Sequence, residues 1–321
     1  MRKRTFLAAA LTAALTGFLA MPAAQAAYPD REVKLVIPFA PGGATDVVFR
    51  VISERAEKEL GQTIVPMNMG GAGGSKGSTF VKNQKADGYT ILGGHEFIFT
   101  TRYTGMVNFG LEAFEPVCTL TTTPLTVTVN AKAPYNTARE MQQYVKTHPG
   151  KTVVTMTPGS MGYVFWKVTA KDWGVDLDKD FKTVIINGTG AQMKALLGGH
   201  VDTFASDYPT DREYVKDGRV KELVVAHTNR LEQIPNVPTF KELGWSNMTT
   251  VTRFILAPKG TPKAVVQKIA AAYRAACNDP EVVKKITDMG SIMTYRDVAQ
   301  TKSYLADSDK VYKNYLANDK K

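Results

Sequence analysis

The stretch "VKLVIPFAPGGATDVVFRVISERAEKEL", residues 33–60, sets the fold class. Val33–Pro38 is an apolar run that stops at Pro41-Gly42-Gly43, and an amphipathic pattern runs from Ala44 to Leu60. The reading is strand, tight turn, helix. Glycine lets the backbone take positive φ and approach a ligand closely. The N–H groups of Ala44, Thr45 and Asp46 open the helix, and such orphan donors, with the helix dipole, favour an anion. The competing reading is a plain βα turn.

The alternation continues outward. Strands are expected at 63–69 and 89–94, with a helix over Ser75–Gln84 between them. From Thr121 a β-branched run leads into a helix that Asn136 or Thr137 can cap with support from Glu140. Further strand and helix patterns alternate to "VKELVVAH" (220–227). A proline-punctuated connector with a short helix follows, then a strand ending at Pro258. Helices are expected over 262–277, 280–289 and about 295–317. Strands separated by helices imply βαβ units and a parallel sheet. Ligands of such sheets bind at the carboxyl ends of the strands or in a cleft between two bodies.

The first 26 residues, a basic "MRKR", an apolar run and "AQA", read as a signal peptide cleaved after Ala26. That leaves an exported chain of about 295 residues, expected in the periplasm. Lys and Arg number 40 against 30 Asp and Glu; Arg2, Lys3 and Arg4 account for three of the ten excess charges, leaving +7. A modest positive field suits small anions. The basic residues are scattered, so no nucleic-acid footprint is read. Cys118 and Cys277 stand in no metal or redox spacing, and a disulfide and two buried thiols fit equally well. No cofactor and no metal are expected.

"GGAGGSKGS" (70–78) fails as a nucleotide loop, because Ser75 precedes Lys76 and Gly77 follows it. A second helix N-terminus aimed at a cleft fits better. "TMTPGSMGY" (155–163) and "NGTGAQMKALLGGHVD" (187–202) repeat the device in the second half. Four such loops, two from each half, suggest donors converging on an anion.

"YPDREVKLVIPFAPGGATD", "GGAGGSKG", "ADGYTIL", "LLGGHVD", "IPNVPTFKELG" and "ILAPKGTP" occur in that order. Together they resemble the extracytoplasmic solute receptors of tripartite tricarboxylate transporters, the TctC or Bug family. The similarity covers residues 28 to about 315. The resemblance implies a two-lobed α/β periplasmic binding protein of the Venus-flytrap kind (type II), with two crossings between lobes. It places lobe one at 27–122 plus 254–321 and lobe two at 123–253. It implies a monomer that holds a small carboxylate (a di- or tricarboxylate, an aromatic acid or an amino acid) and delivers it to the transporter's membrane subunits. The first-loop residues implied are Phe39, Ala40, Pro41, Gly42, Gly43, Ala44, Thr45 and Asp46. Those of lobe two are Thr157, Pro158, Gly159 and Ser160, then Gly188, Thr189 and Gly190, then Ser206 and Asp207.

Some positions depart from the family pattern. His95 and Glu96 stand where small hydroxyl residues are usual; they face solvent, or Glu96 bonds a ligand hydroxyl, amine or protonated carboxyl. Ser206 and Asp207 replace the usual Asp-Asn. Arg253 stands where an aromatic is common, and is either a surface or hinge residue or a clamp on a second carboxylate. Tyr163, Phe165 and Trp166 read as core residues or as a stacking surface. A receptor that presents its closed form to a two-component sensor would have the same sequence. A secreted hydrolase would need a nucleophile, base and orienter, and "PGSMG" (158–162) lacks the first glycine of Gly-x-Ser-x-Gly.

Overall fold

A computed structural model describes residues 28–157, 159–186 and 188–316. The expected signal peptide and Pro158 lie outside the described residues. In chain order the first elements are β1 (Val33–Ile37), α1 (Ala44–Leu60), β2 (Ile64–Asn68), α2 (Ser75–Lys82), β3 (Thr90–Gly94), α3 (Phe97–Tyr103) and β4 (Phe114–Pro124). Next come β5 (Thr126–Asn130), α4 (Ala138–Thr147), β6 (Thr152–Thr155), α5 (Met161–Trp173), α6 (Leu177–Asp180), β7 (Phe181–Val184), α7 (Thr189–Leu197), β8 (Thr203–Ser206), α8 (Tyr208–Lys216) and β9 (Val220–Val225). The chain ends with β10 (Thr250–Pro258), α9 (Lys263–Cys277), α10 (Pro280–Asp288), β11 (Ile292–Arg296) and α11 (Val298–Leu316).

The strands form two sheets, β11-β4-β10-β3-β1-β2 and β7-β6-β8-β5-β9. Neither is wholly parallel, as the alternation alone suggests. β2, β1 and β3 pair in parallel, as do β7, β6 and β8. β4, β5, β9, β10 and β11 pair antiparallel. The cause is connectivity: β4 and β10 are the strands through which the chain leaves and re-enters the first sheet, and they run against each other from Thr250↔Pro124 to Pro258↔Phe114. Leu125, between β4 and β5, donates its N–H to the Thr249 carbonyl at 3.2 Å, so exit and return are stitched together. The short helix expected in the 230–244 connector is a set of turns, and β11 was not foreseen.

α1 follows its pattern. Val48, Phe49, Ile52, Ala56 and Leu60 are buried, and Gly61 ends the helix in a left-handed conformation at φ 79°. Burial of a side chain such as Phe49 contributes about 1.5–3 kcal/mol. Thr137 caps α4 by accepting from Glu140 N–H, and the Glu140 carboxylate accepts from Asn136 N–H in return. Phe165 and Trp166 are fully buried, so they are core residues. One apolar cluster runs from Leu92, Phe97 and Phe254 through Leu125 and Val127 to Trp166 and Phe240, joining the two sheet units. Cys118 and Cys277 are both buried and free.

Candidate functional site

The loops after β1, β6, β7 and β8 all leave the carboxyl ends of strands and lead into α1, α5, α7 and α8. Two of those helices are closed by their own caps. Ser160 accepts from Tyr163 N–H at the start of α5, and Asp207 accepts from Thr210 N–H at the start of α8. α1 and α7 begin at Gly43 and Gly188 with no side-chain cap. Their first N–H groups remain available as donors.

A cavity of about 320 Å³ separates these two open ends. Gly42, Gly43, Ala44, Val47 and Val48 line it on one side. Thr189, Gly190 and Met193 of α7 line the other, with Thr210, Arg212 and Tyr214 of α8. The units meet beside it: Gly159 has φ +72°, and a Cβ there would lie 2.9 Å from Thr104 Oγ1. Thr157 donates to the Ile186 carbonyl at 3.3 Å and so ties the β6 loop to the β7 loop.

The first loop is held by its own acid. Asp46 accepts from Gly42 N–H at 2.9 Å, from Arg50 Nε and from Asn68 Nδ2 at 2.8 Å. Asn68 Nδ2 also reaches the Phe39 carbonyl at 3.1 Å. Asp46 is therefore spent on loop geometry, which places Gly42 at φ 79°. Phe39 stacks on His95 with ring centroids 4.7 Å apart, and His95 Nδ1 accepts from Phe97 N–H. Burial pushes His95 down to about 3, and the nearby Arg253 charge adds to this. His95 is thus a neutral ring.

Glu96 does not face solvent. It is 1 % exposed, and its oxygens accept from Thr252 N–H and from the Tyr304 hydroxyl. Burial raises its carboxyl to about 7, although these bonds resist the rise. Its place is a fastening between β3, the re-entrant strand β10 and α11. Arg253 is 1 % exposed. It donates from Nε to Thr45 Oγ1 at 3.2 Å and from Nη1 to Thr123 Oγ1 at 2.6 Å. Burial lowers it to about 10, opposed by the charges of Asp207 and Glu96. Among the described residues no carboxylate lies within 4.0 Å of this guanidinium.

Ser206 turns inward and donates to Asp211 Oδ1 at 2.5 Å; Thr128 donates to Oδ2 at 2.6 Å. Burial raises Asp211 to about 7, and the facing Glu222 is raised as well. The residues 70–78 do not line the cavity; Gly74 packs beneath Phe97 instead. Sequence reasoning missed Val47, Met193, Thr210 and Arg212, whose helical spacing marks them only as ordinary surface or core positions.

The family model described as "Tripartite tricarboxylate transporter family receptor" (TctC) matches residues 48–318. The chain belongs to this family. A relative from Cupriavidus necator, the "UPF0065 protein in gbd 5'region", is 32% identical over 97% of this chain and 95% of its own. A solved periplasmic transporter is 26% identical with a TM-score of 0.84, covering 92% of this chain and 99% of its own. MatC from Rhodopseudomonas palustris, solved with bound malate, is 28% identical with a TM-score of 0.80, covering 90% and 100%. The chain is thus a solute-binding receptor with the α/β fold of periplasmic binding proteins.

Proposed function

We propose that this receptor captures a small organic carboxylate between its two sheet units and delivers it to the membrane subunits of a tripartite tricarboxylate-type transporter. The observation that carries the reading is Arg253. The carboxylates that face this buried guanidinium, Asp207 and Glu96, lie beyond ion-pair distance, so an anionic ligand can pair with it more closely than they do. Arg253 stands directly behind Thr45, in the open first turn of α1, so charge and unspent N–H donors serve one anion. The malate bound by MatC is a ligand of this chemistry. The lobes divide at Leu125 and Thr249: β4 (Phe114–Pro124) and β10 (Thr250–Pro258) both belong to the first sheet, so Thr123 and Arg253 go with lobe one and not with the 123–253 lobe that the resemblance implies. Closure of the lobes excludes water from the ligand carboxylate, and reopening releases it. The protein works in the periplasm as a monomer after cleavage at Ala26.

The test is a thermal-shift panel of malate, succinate, citrate, aromatic acids and amino acids, each beside its neutral amide. A ligand of the folded state raises the melting temperature with concentration. Shifts from acids and none from their amides are expected. A shift produced only by uncharged or cationic solutes would overturn the reading.

A further inference from the structure

α8 is seated on the second sheet through a carboxyl. Asp211 is fully buried, and its oxygens accept from Ser206 Oγ of β8 and Thr128 Oγ1 of β5. Glu222 of β9 faces it within hydrogen-bonding reach and is 7 % exposed. Neither Glu222 oxygen has a donor. The Thr126 hydroxyl stands beside Glu222, but Thr128 spends its own proton on Asp211, so the 2.9 Å contact between the two threonines takes the Thr126 proton. Two ionised carboxylates only accept and cannot bond each other. One proton on the pair supplies the missing donor and removes one of two buried like charges.

The surroundings favour that proton. Asp207, at the start of α8, adds another negative charge that raises both groups, and it faces Arg253 of β10 in turn. Lys221, next to Glu222 on β9, bonds the Ala133 and Tyr135 carbonyls instead. Arg212, next to Asp211 on α8, pairs with Glu213. β5 and β8 face the pair with the hydroxyls of Thr126, Thr128 and Ser206. Among the described residues no Lys, Arg or His lies within 4.0 Å of either carboxyl. Asp211 belongs to the same helix whose Thr210, Arg212 and Tyr214 line the cavity.

We propose that Asp211 and Glu222 hold one proton between them, and that anion capture in the cleft is linked to it, so that affinity is greatest while the pair is protonated and declines as it ionises. This rests on the reading of the cleft as an anion receptor. Loss of the proton puts a second charge beneath α8, which repels an anion beside that helix and loosens its seat. By reciprocity a bound anion strengthens the pair's hold on the proton. The pair therefore titrates at higher pH in the bound state than in the free state. Affinity is full below the free-state titration, falls through it and levels off above the bound-state one, and binding takes up a proton between the two.

The wild type is titrated calorimetrically from pH 6.5 to pH 8.5 with malate, which stays ionised there, and with the acid that most raises its melting temperature. At pH 7.5 the titration is repeated in two buffers of different ionisation enthalpy. Affinity should fall about tenfold across the range, with net proton uptake at pH 7.5. Glu222→Gln carries no charge and keeps a donor toward Asp211; it should hold the low-pH affinity and lose both the slope and the uptake. Asp211→Asn, whose amide donates to an ionised Glu222, fixes the charge of the pair and should flatten the profile as well. Glu96→Gln removes the other carboxyl raised to about 7 and should leave the slope in place. Melting temperatures without ligand confirm that the variants fold. If wild-type affinity is flat with no proton uptake, or if the slope survives in Glu222→Gln or Asp211→Asn, the inference is wrong and the receptor reading stands. If no carboxylate binds the wild type at any of these pH values, both fall.

Discussion

Arg253 donates from Nε to Thr45 Oγ1 at 3.2 Å, so the strand that brings the chain back into the first sheet also touches the first turn of α1. The same guanidinium bonds Thr123 on β4, the strand by which the chain leaves. Exit strand, return strand and ligand loop thus share one cation.

Replacing Arg253 by methionine tests this directly. The folded protein without ligand should lose some stability, because the substitution removes the bonds to Thr45 and Thr123, and removal of a buried charge with no ion pair within 4.0 Å offsets part of that loss. Ligand binding should weaken about 10- to 100-fold, since a hydrogen bond to a charged group is worth about 1.5–3 kcal/mol. Calorimetric titration with whichever acid shifts the wild-type melting temperature measures it. Unchanged affinity would remove Arg253 from the site.

The two glycines of the first turn separate conformation from space. Gly42 has φ +79°, so Gly42→Ala strains the backbone and should lower the melting temperature with or without ligand. At Gly43 the nearest atom to an added Cβ is the Ala40 carbonyl oxygen at 3.7 Å, an ordinary contact. Gly43→Val should therefore fold, but its side chain enters the cavity, and affinity should fall at least tenfold. Circular dichroism melting and a binding titration on the pair should show opposite patterns.

Stability should fall as pH rises above about 6.5. Glu96 and Asp211 are raised by burial to about 7, so between the unfolded carboxyl range and pH 7 the folded state holds protons that the unfolded chain has released. Their contribution is complete at low pH and lost as pH climbs through 7. His95 acts in the other sense. Its folded value is depressed to about 3, which costs stability as pH drops below 6.5. Above 6.5 that effect is exhausted and the carboxyls act alone. Melting temperature from pH 6.5 to 8.5 should decline in the wild type, and less steeply in Asp211→Asn. A flat wild-type profile would contradict the burial of these groups.

Both cysteines are free and buried, and burial pushes both thiols up. A thiol reagent should find two thiols per chain in denaturant and react slowly with the native protein. Titration of zero thiols after denaturation would mean that they pair.

Much of the βα organisation was legible because its signals are local. The strand-turn-helix of residues 33–60 and the Thr137–Glu140 cap need only neighbours in sequence. Strand direction was not, because β4 and β10 become antiparallel through a pairing across some 130 residues that no local period encodes. The same holds for side-chain destinations. Glu96 goes to Thr252 and Tyr304, contacts that exist only once β10 has returned beside β3 and α11 has packed on the first sheet. Arg212 looks like any helix-surface arginine until α8 is set opposite α1.

Asp46 is the position where loop geometry and function should fail together. Its carboxylate holds Gly42 N–H, Arg50 and Asn68, and the side chain is only 3 % exposed. Asp46→Ala strands the Gly42 N–H and one Asn68 donor, a loss of about 1–3 kcal/mol. Arg50, with 44 % of its side chain exposed, finds water instead and adds little. The freed loop no longer presents the first turn of α1 in a fixed geometry, so the ligand must order it on binding and affinity drops further. Asp46→Asn keeps an acceptor for Gly42 and should recover part of the stability. The two variants, compared by denaturant unfolding and by titration with the same acid, should lose stability and affinity in the order Ala, then Asn. If Asp46→Ala bound the acid as well as the wild type, the preformed loop would have no part in recognition.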